Sequence, residues 1–276
     1  MLSRIASMTL AMGALITLAA QAQDLSKYPD WSGAWRKPPG VGNNFDWMKP
    51  AGDGQQAPLT AESRAIFEAT AADRAEGGLG GDPTGLCLPH GMPRMMIAVF
   101  PIEFIVTPAT VYILTDYTTP RRIFTDGRSW PNNILPSFNG YSIGRWSDTD
   151  GDGVYHLLEV ETRGFKGPRT FEGSGLPLHD DGQTVIKERL WLDPANKDVL
   201  RNETTVIDNA LTRPWTIDKT YRFTQNPHWV QNICSVGNNH VVIGKDAYFL
   251  SADGLLMPTK KDQTPPDLRY FKQTAR

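Results

Sequence analysis

The chain is predicted to be an all-β protein whose antiparallel meander closes into a barrel, or stacks into a sandwich, with one peripheral helix. Three observations predict it. Nine strand-like runs follow one another between residues 95 and 223. Turn signals such as TPAT, TDGR, DGDG, DPAN and TRPW separate them. Only residues 59–76 read as a clear helix. Short strands at regular spacing suit a sandwich or a barrel. Closure also removes the exposed edges of an open sheet.

Taken in order, residues 1–22 read as a targeting segment. Arg4 supplies a positive start, 8–19 an apolar run too short to span a bilayer comfortably, and Ala20-Gln21-Ala22 a small-x-small cleavage site. Cleavage after Ala22 is one reading and an uncleaved anchor the other; no Cys follows to carry a lipid. Residues 23–58 give a short strand at Trp31 to Trp35 (WSGAW), then a Pro/Gly-rich loop. In the helix, Thr60 is a good N-cap and Glu62 suits the first turn. Its apolar stripe is thin, and Gly77-Gly78 end it, so it should lie on the surface. Residues 77–93 form a loop. The strand-like runs are 95–100, 104–107, 111–116, 121–126, 141–146, 154–163, 184–193, 199–208 and 215–223. They make 59–225 the main β domain. Residues 226–276 read as an irregular strap on the same domain. It has one strand-like piece at 241–243 and aromatic anchors at Tyr248, Phe249, Tyr270 and Phe271.

Composition narrows the partners. A net charge of −2 with scattered basic residues lacks the footprint of a nucleic-acid binder. No later apolar run approaches membrane-spanning length. The two cysteines, Cys87 and Cys234, would be exported to an oxidising compartment. A disulfide there would close a loop of about 150 residues, worth at most roughly 4–5 kcal/mol. Two separate buried thiols are the alternative.

Strand alternation singles out charges within apolar rows. Ile186, Glu188, Leu190 and Leu192 share one face; so do Trp215, Ile217, Lys219, Tyr221 and Phe223. Tyr141, Ile143 and Arg145 share another. Buried charges cost several kcal/mol unless paired. Glu188, Lys219 and Arg145 are therefore expected as one internal cluster: a structural network, a ligand-facing set or a catalytic one. In the catalytic version Glu188 is a base whose pKa burial raises. His179, from the loop PLHDD, is the acid, and Arg145 stabilises an oxyanion.

Other motifs carry weaker chemistry. DTDGDGVYHLLE places Asp148, Asp150, Asp152 and Glu159 at positions 1, 3, 5 and 12 of a calcium loop, with Gly153 at 6. The following residues alternate like a strand, not a helix, so a hairpin turn is the competing reading. HGMPR puts His90 in a loop, as an acid/base group or a solvated residue. PRRIFTDGRSWP offers Arg121, Arg122 and Arg128 as carboxylate clamps, or as a turn. The five histidines lack metal-ligand spacing, and no nucleotide or serine-hydrolase fingerprint occurs, so no cofactor is expected beyond the calcium option.

The segments GMPR, RRIFTDGR, GYSIGRW, LEVETRGF, KERL and LTRPW, in this order, resemble a large family of secreted bacterial proteins. The likeness covers about residues 31–235. It implies a signal peptide, a GxW near the mature start (Gly33-Ala34-Trp35) and a series of strands, but no particular activity. The GxW start followed by a meander is also similar to lipocalin-like barrels, at the level of fold alone. The expected function is binding of a small apolar or aromatic, anionic ligand inside the barrel. Tyr112, Tyr141, Trp215 and Tyr221 would line it, with Arg121, Arg145 and Lys219 for the charge. A cofactor-independent isomerase, lyase or hydrolase and a structural envelope component are the alternatives. The oligomeric state is not legible.

Overall fold

Nine strands close into a barrel in chain order, and an odd count has a geometric consequence. Strand direction cannot alternate all the way round an odd ring, so one seam must be parallel. The computed structural model describes residues 25–38, 56–229, 233–244 and 246–266. The expected signal peptide, most of the Pro/Gly-rich loop, and Tyr270 and Phe271 lie outside these. The barrel strands are β1 (Ala34–Arg36), β2 (Ile102–Val106), β3 (Thr110–Leu114), β4 (Arg121–Phe124), β5 (Tyr141–Ser147), β6 (Leu157–Arg163), β7 (Val185–Asp193), β8 (Asn196–Ile207) and β9 (Trp215–Thr224). β1 pairs antiparallel with both β2 and β9 and closes the ring. The parallel seam is β4–β5, with Ile123 opposite Ser142 and Phe124 opposite Ile143. The meander is thus antiparallel everywhere but here. TDGR does not make a hairpin; residues 125–140 cross over instead.

Alternation sorts the barrel rows. Ile186, Glu188 and Leu190 of β7 are buried, as are Trp215, Ile217, Lys219 and Tyr221 of β9. On β5 the buried row is Ser142, Gly144 and Trp146, so Tyr141, Ile143 and Arg145 face out. A Cβ on Gly144 would stand 2.7 Å from Ile123 Cγ2 and 3.1 Å from Leu158 Cδ1. Only glycine fits that close approach.

The apolar run expected as a strand at 95–100 is instead a single 3-10 turn, Arg94–Ile97. A short apolar run looks the same in a buried strand and a buried turn. Met92, Met95 and Met96 are buried in the barrel core, and side chains satisfy their carbonyls. Tyr221 Oη donates to Met96 O at 2.6 Å, Tyr117 Oη to Met95 O at 3.2 Å, and Arg169 Nη1 to Met92 O at 3.3 Å. Gly91 of HGMPR has φ +58°, and a Cβ there would meet Phe138 O at 2.4 Å.

Helix α1 (Ala61–Ala75) is capped by Thr60, whose Oγ1 accepts from Ser63 N at 3.2 Å. It buries only Ser63 and Thr70, as its thin stripe predicts. A second core at this end gathers Phe171, Leu176, Val206, Leu211, Trp215 and Ile217, with Phe67 of α1 against it. The tail is more regular than expected. After the short α2 (Cys234–Gly237), strands β10 (His240–Ile243), β11 (Asp246–Leu250) and β12 (Leu256–Pro258) form an antiparallel sheet. Cys87 and Cys234 pair, with Cα atoms 5.5 Å apart. Lys260 makes an ion pair with Asp73 of α1. No helix among the described residues is long and apolar enough to cross a membrane.

Candidate functional site

Charges do meet inside the barrel, but in a different set from the one expected. Arg121 leaves β4 on the same face as buried Ile123. Its Nη2 makes an ion pair with Glu188 Oε2 and donates to Thr162 Oγ1 at 3.0 Å; its Nε donates to Ser142 Oγ at 3.3 Å. Asn202 Nδ2 donates to Glu188 Oε1 and to Tyr221 Oη, each at 3.2 Å. Thr204 Oγ1 donates to Asn202 Oδ1 at 3.1 Å. Lys219 stands in the same interior, with Nζ 5.3 Å from the Phe171 ring centre.

The electrostatics follow from burial and pairing. Burial alone would raise the Glu188 carboxyl. The Arg121 guanidinium, then Lys219 and Asn202, outweigh it and hold the group below its ordinary value. The expected burial-raised base is therefore corrected: Glu188 is a clamped carboxylate. Burial depresses the Lys219 ammonium to about 8; Glu188 pulls it up and Arg121 pushes it further down. Burial also raises the Tyr221 phenol. A carboxylate 1% exposed between cations is placed to brace strands, not to shuttle protons.

The other residues singled out by sequence fall elsewhere. Arg145 is exposed, in register with Glu159 on the outer face. Glu159 lies opposite Arg189, and Arg189 opposite Glu203, so alternating charges run across β5–β8 on the outside. Such mid-strand charges suit water rather than lipid. His179 is half-exposed, with Nδ1 3.0 Å from Asp181 Oδ2. The trio Glu188, His179 and Arg145 is not brought together. Tyr112 faces out under Arg122, at 5.9 Å from guanidinium carbon to ring centre. Tyr141 faces out against Phe124, with ring centres 5.1 Å apart. Trp215 is a core residue packed on Phe171 at 4.7 Å. Of the predicted ligand residues, Arg121, Lys219 and Tyr221 do share the interior. Asn202, Thr162 and Ser142 were missed. Asn202 could have been found, since it alternates with Leu200 and Thr204 in β8.

The acidic turn is a hairpin between β5 and β6. Asp148 accepts from Gly151 N at 2.7 Å and Gly153 N at 2.9 Å, and Asp152 from Val154 N at 2.8 Å. Carboxylates of Asp148, Asp150 and Asp152 and a His156 ring nitrogen lie within 4.8 Å of one another. Glu159 is not in that group. It sits in β6, where Ser147 Oγ donates to it at 3.4 Å, so the twelve-residue calcium loop does not form.

A cavity of about 550 Å³ opens beside this hairpin, next to β7 and β8. Tyr155, Leu157, Trp191 and Leu192 give it an apolar wall; Arg189, Lys197, His156 and Asp150 give it polar groups. Tyr155 is held by Tyr28 at 5.1 Å and Trp146 at 6.2 Å between ring centres. Asp150 is matched by His156 Nδ1 at 3.3 Å. A smaller cavity of about 250 Å³ holds His90, Arg94, Tyr117 and Glu172. Burial, aided by Arg94, lowers the His90 imidazole to about 4, so it is neutral at pH 7. Arg94 is taken up by Asp82, with bonds of 2.6 and 3.0 Å.

Comparison with known proteins gives no matching family model, curated sequence or solved structure.

Proposed function

We propose that this is a secreted β-barrel protein that binds a small aromatic ligand carrying an anionic group. The ligand lies in the cavity beside β7 and β8 rather than inside the barrel. One observation carries the reading: that cavity, about 550 Å³, combines an aromatic wall (Tyr155, Trp191) with two cations (Arg189, Lys197). Its size falls within the roughly 300–1,000 Å³ of small-molecule sites, and its few polar groups on an apolar wall match their usual make-up. The barrel core argues against an interior site for such a ligand, because Arg121, Glu188, Lys219 and Tyr221 are all closed off from solvent there. Export is supported by the N-terminal pattern and by the disulfide. Acid–base catalysis by Glu188, His179 and Arg145 gains no support, since the three do not meet.

Titration with aromatic carboxylates, followed by tryptophan fluorescence, tests the proposal. Saturable quenching is expected. Trp191→Ala should abolish it with little change in melting. Arg189→Ala should weaken carboxylates about tenfold while sparing neutral analogues. Binding indifferent to Trp191→Ala, or no binding by any aromatic acid, refutes the assignment.

A further inference from the structure

The smaller cavity, of about 250 Å³, shares no residue with the one beside β7 and β8. The buried turn Arg94–Ile97 and its flanks build it. His90 precedes the turn, and Val99 and Phe100 follow it. Tyr117 comes from the β3–β4 loop, where its Oη donates to Met95 O at 3.2 Å. Glu172 enters beside Phe171, which is completely buried and anchors the chain there. Three rings therefore line one space at steep angles. His90 and Tyr117 lie 4.6 Å apart between ring centres at 72°, and Phe100 and Tyr117 lie 5.3 Å apart at 55°. Val99 is 51% and Phe100 45% exposed, so the apolar mouth is open.

Charge decides the sign of the ligand. Arg94 is already taken: Nη1 and Nη2 donate to Asp82 at 2.6 and 3.0 Å, and Nη1 also to Thr170 Oγ1 at 3.2 Å. Burial holds the His90 imidazole down at about 4, so it adds no charge at pH 7. Glu172 has no cation paired to it among the described residues. Its Oε1 accepts from Ser174 N at 2.7 Å and from Ser174 Oγ, and no bond among these residues reaches Oε2. The lining thus carries one unmatched negative charge beside aromatic rings, whose faces attract cations. A methylated ammonium brings no N–H donors, so it needs no acceptors beyond that one free carboxylate oxygen.

We propose that this cavity binds a small methylated ammonium, with its charge against the Tyr117 and Phe100 rings and beside Glu172. The volume, just below the roughly 300–1,000 Å³ of drug-sized sites, limits the ligand to a compact cation or a lipid headgroup of the same chemistry.

Calorimetric titration of the whole chain with choline tests this. Saturable binding is expected, about tenfold tighter than for neohexanol, the uncharged carbon isostere. Glu172→Gln and Phe100→Leu, both at partly open positions, should each weaken choline about five- to tenfold. Nuclear Overhauser contacts should join the choline methyl groups to the Tyr117 ring. Phosphatidylcholine vesicles separate the two sources: sedimentation with them, lost in Glu172→Gln, assigns the site to a headgroup, and choline binding without it assigns the site to a free cation. No choline binding, equal affinity for choline and neohexanol, or full choline binding by both variants overturns the proposal.

Discussion

Glu188→Gln is the most direct perturbation of the buried network. The change keeps the shape of the side chain and an acceptor for Asn202. It removes the negative charge from between Arg121 and Lys219, both fully buried. Breaking a buried ion pair from one side costs about 3–5 kcal/mol, because the remaining charge is left uncompensated. For a chain of this length each kcal/mol moves Tm by ~2–4 °C, so a fall of roughly 6–20 °C is expected. Urea unfolding at pH 7 gives the free energy, and thermal circular dichroism gives Tm. Hydrogen exchange should locate the damage at β4 and β5, because Arg121 bridges them through Ser142. Adding Arg121→Gln to Glu188→Gln should recover part of the loss, since the second change removes the stranded cation. A loss under about 1 kcal/mol, or exchange that rises elsewhere first, would refute the view that this carboxylate braces the barrel.

Three further outcomes follow from the same geometry. Gly144→Ala puts a methyl group 2.7 Å from Ile123 Cγ2 and should cost about 1–3 kcal/mol in urea unfolding. Replacing Cys87 and Cys234 together by Ser should lower stability by about 2–5 kcal/mol under non-reducing conditions. Lys219, lowered to about 8 in the fold, is protonated in both states below that pH and deprotonates first in the folded state above it. The unfolded chain then binds more protons, so stability should rise between about pH 8 and 10.5, by on the order of 3 kcal/mol. Lys219→Met should flatten that rise; an unchanged slope would place the titration elsewhere.

The sequence exposed the rows of β7 and β9 because a single charge interrupts each otherwise apolar alternation. Glu188 and Lys219 stand out against Ile186, Leu190, Ile217 and Tyr221. It misled on β5. There the inward row is Ser142, Gly144 and Trp146, which reads as less apolar than Tyr141 and Ile143 on the outer side. The space is filled by Ile123 from the neighbouring strand, which no local pattern reports. Arg121 was legible as a charge but not as the partner of Glu188, since the two lie 67 residues apart and meet only through closure. The turn at Arg94–Ile97 failed for another reason: apolar residues in a buried plug and in a buried strand look alike. The Asp-rich turn resolved on the side favoured by its strand-like continuation. The cavity beside Trp191 had no linear signal, since it joins residues from the N-terminal segment, the hairpin and three strands.

The position of Arg121 relates the odd strand count to the buried charges. Closing nine strands requires a parallel seam, and here that seam joins only two residue pairs. Parallel pairing is slightly weaker per residue than antiparallel pairing, so so short a seam is a weak point in the ring. Arg121 begins the strand on one side of it. From inside the barrel its guanidinium reaches across the seam to Ser142 on β5, past it to Thr162 on β6, and on to Glu188 on β7. Asn202 then carries the chain of bonds from Glu188 to Tyr221 on β9. Hydrogen bonds between backbones hold each neighbouring pair, whereas this polar chain spans from β4 round to β9. A purely apolar interior would bury as much surface but could not supply directed bonds across the seam. That is a physical reason for this barrel to place three charges in its core.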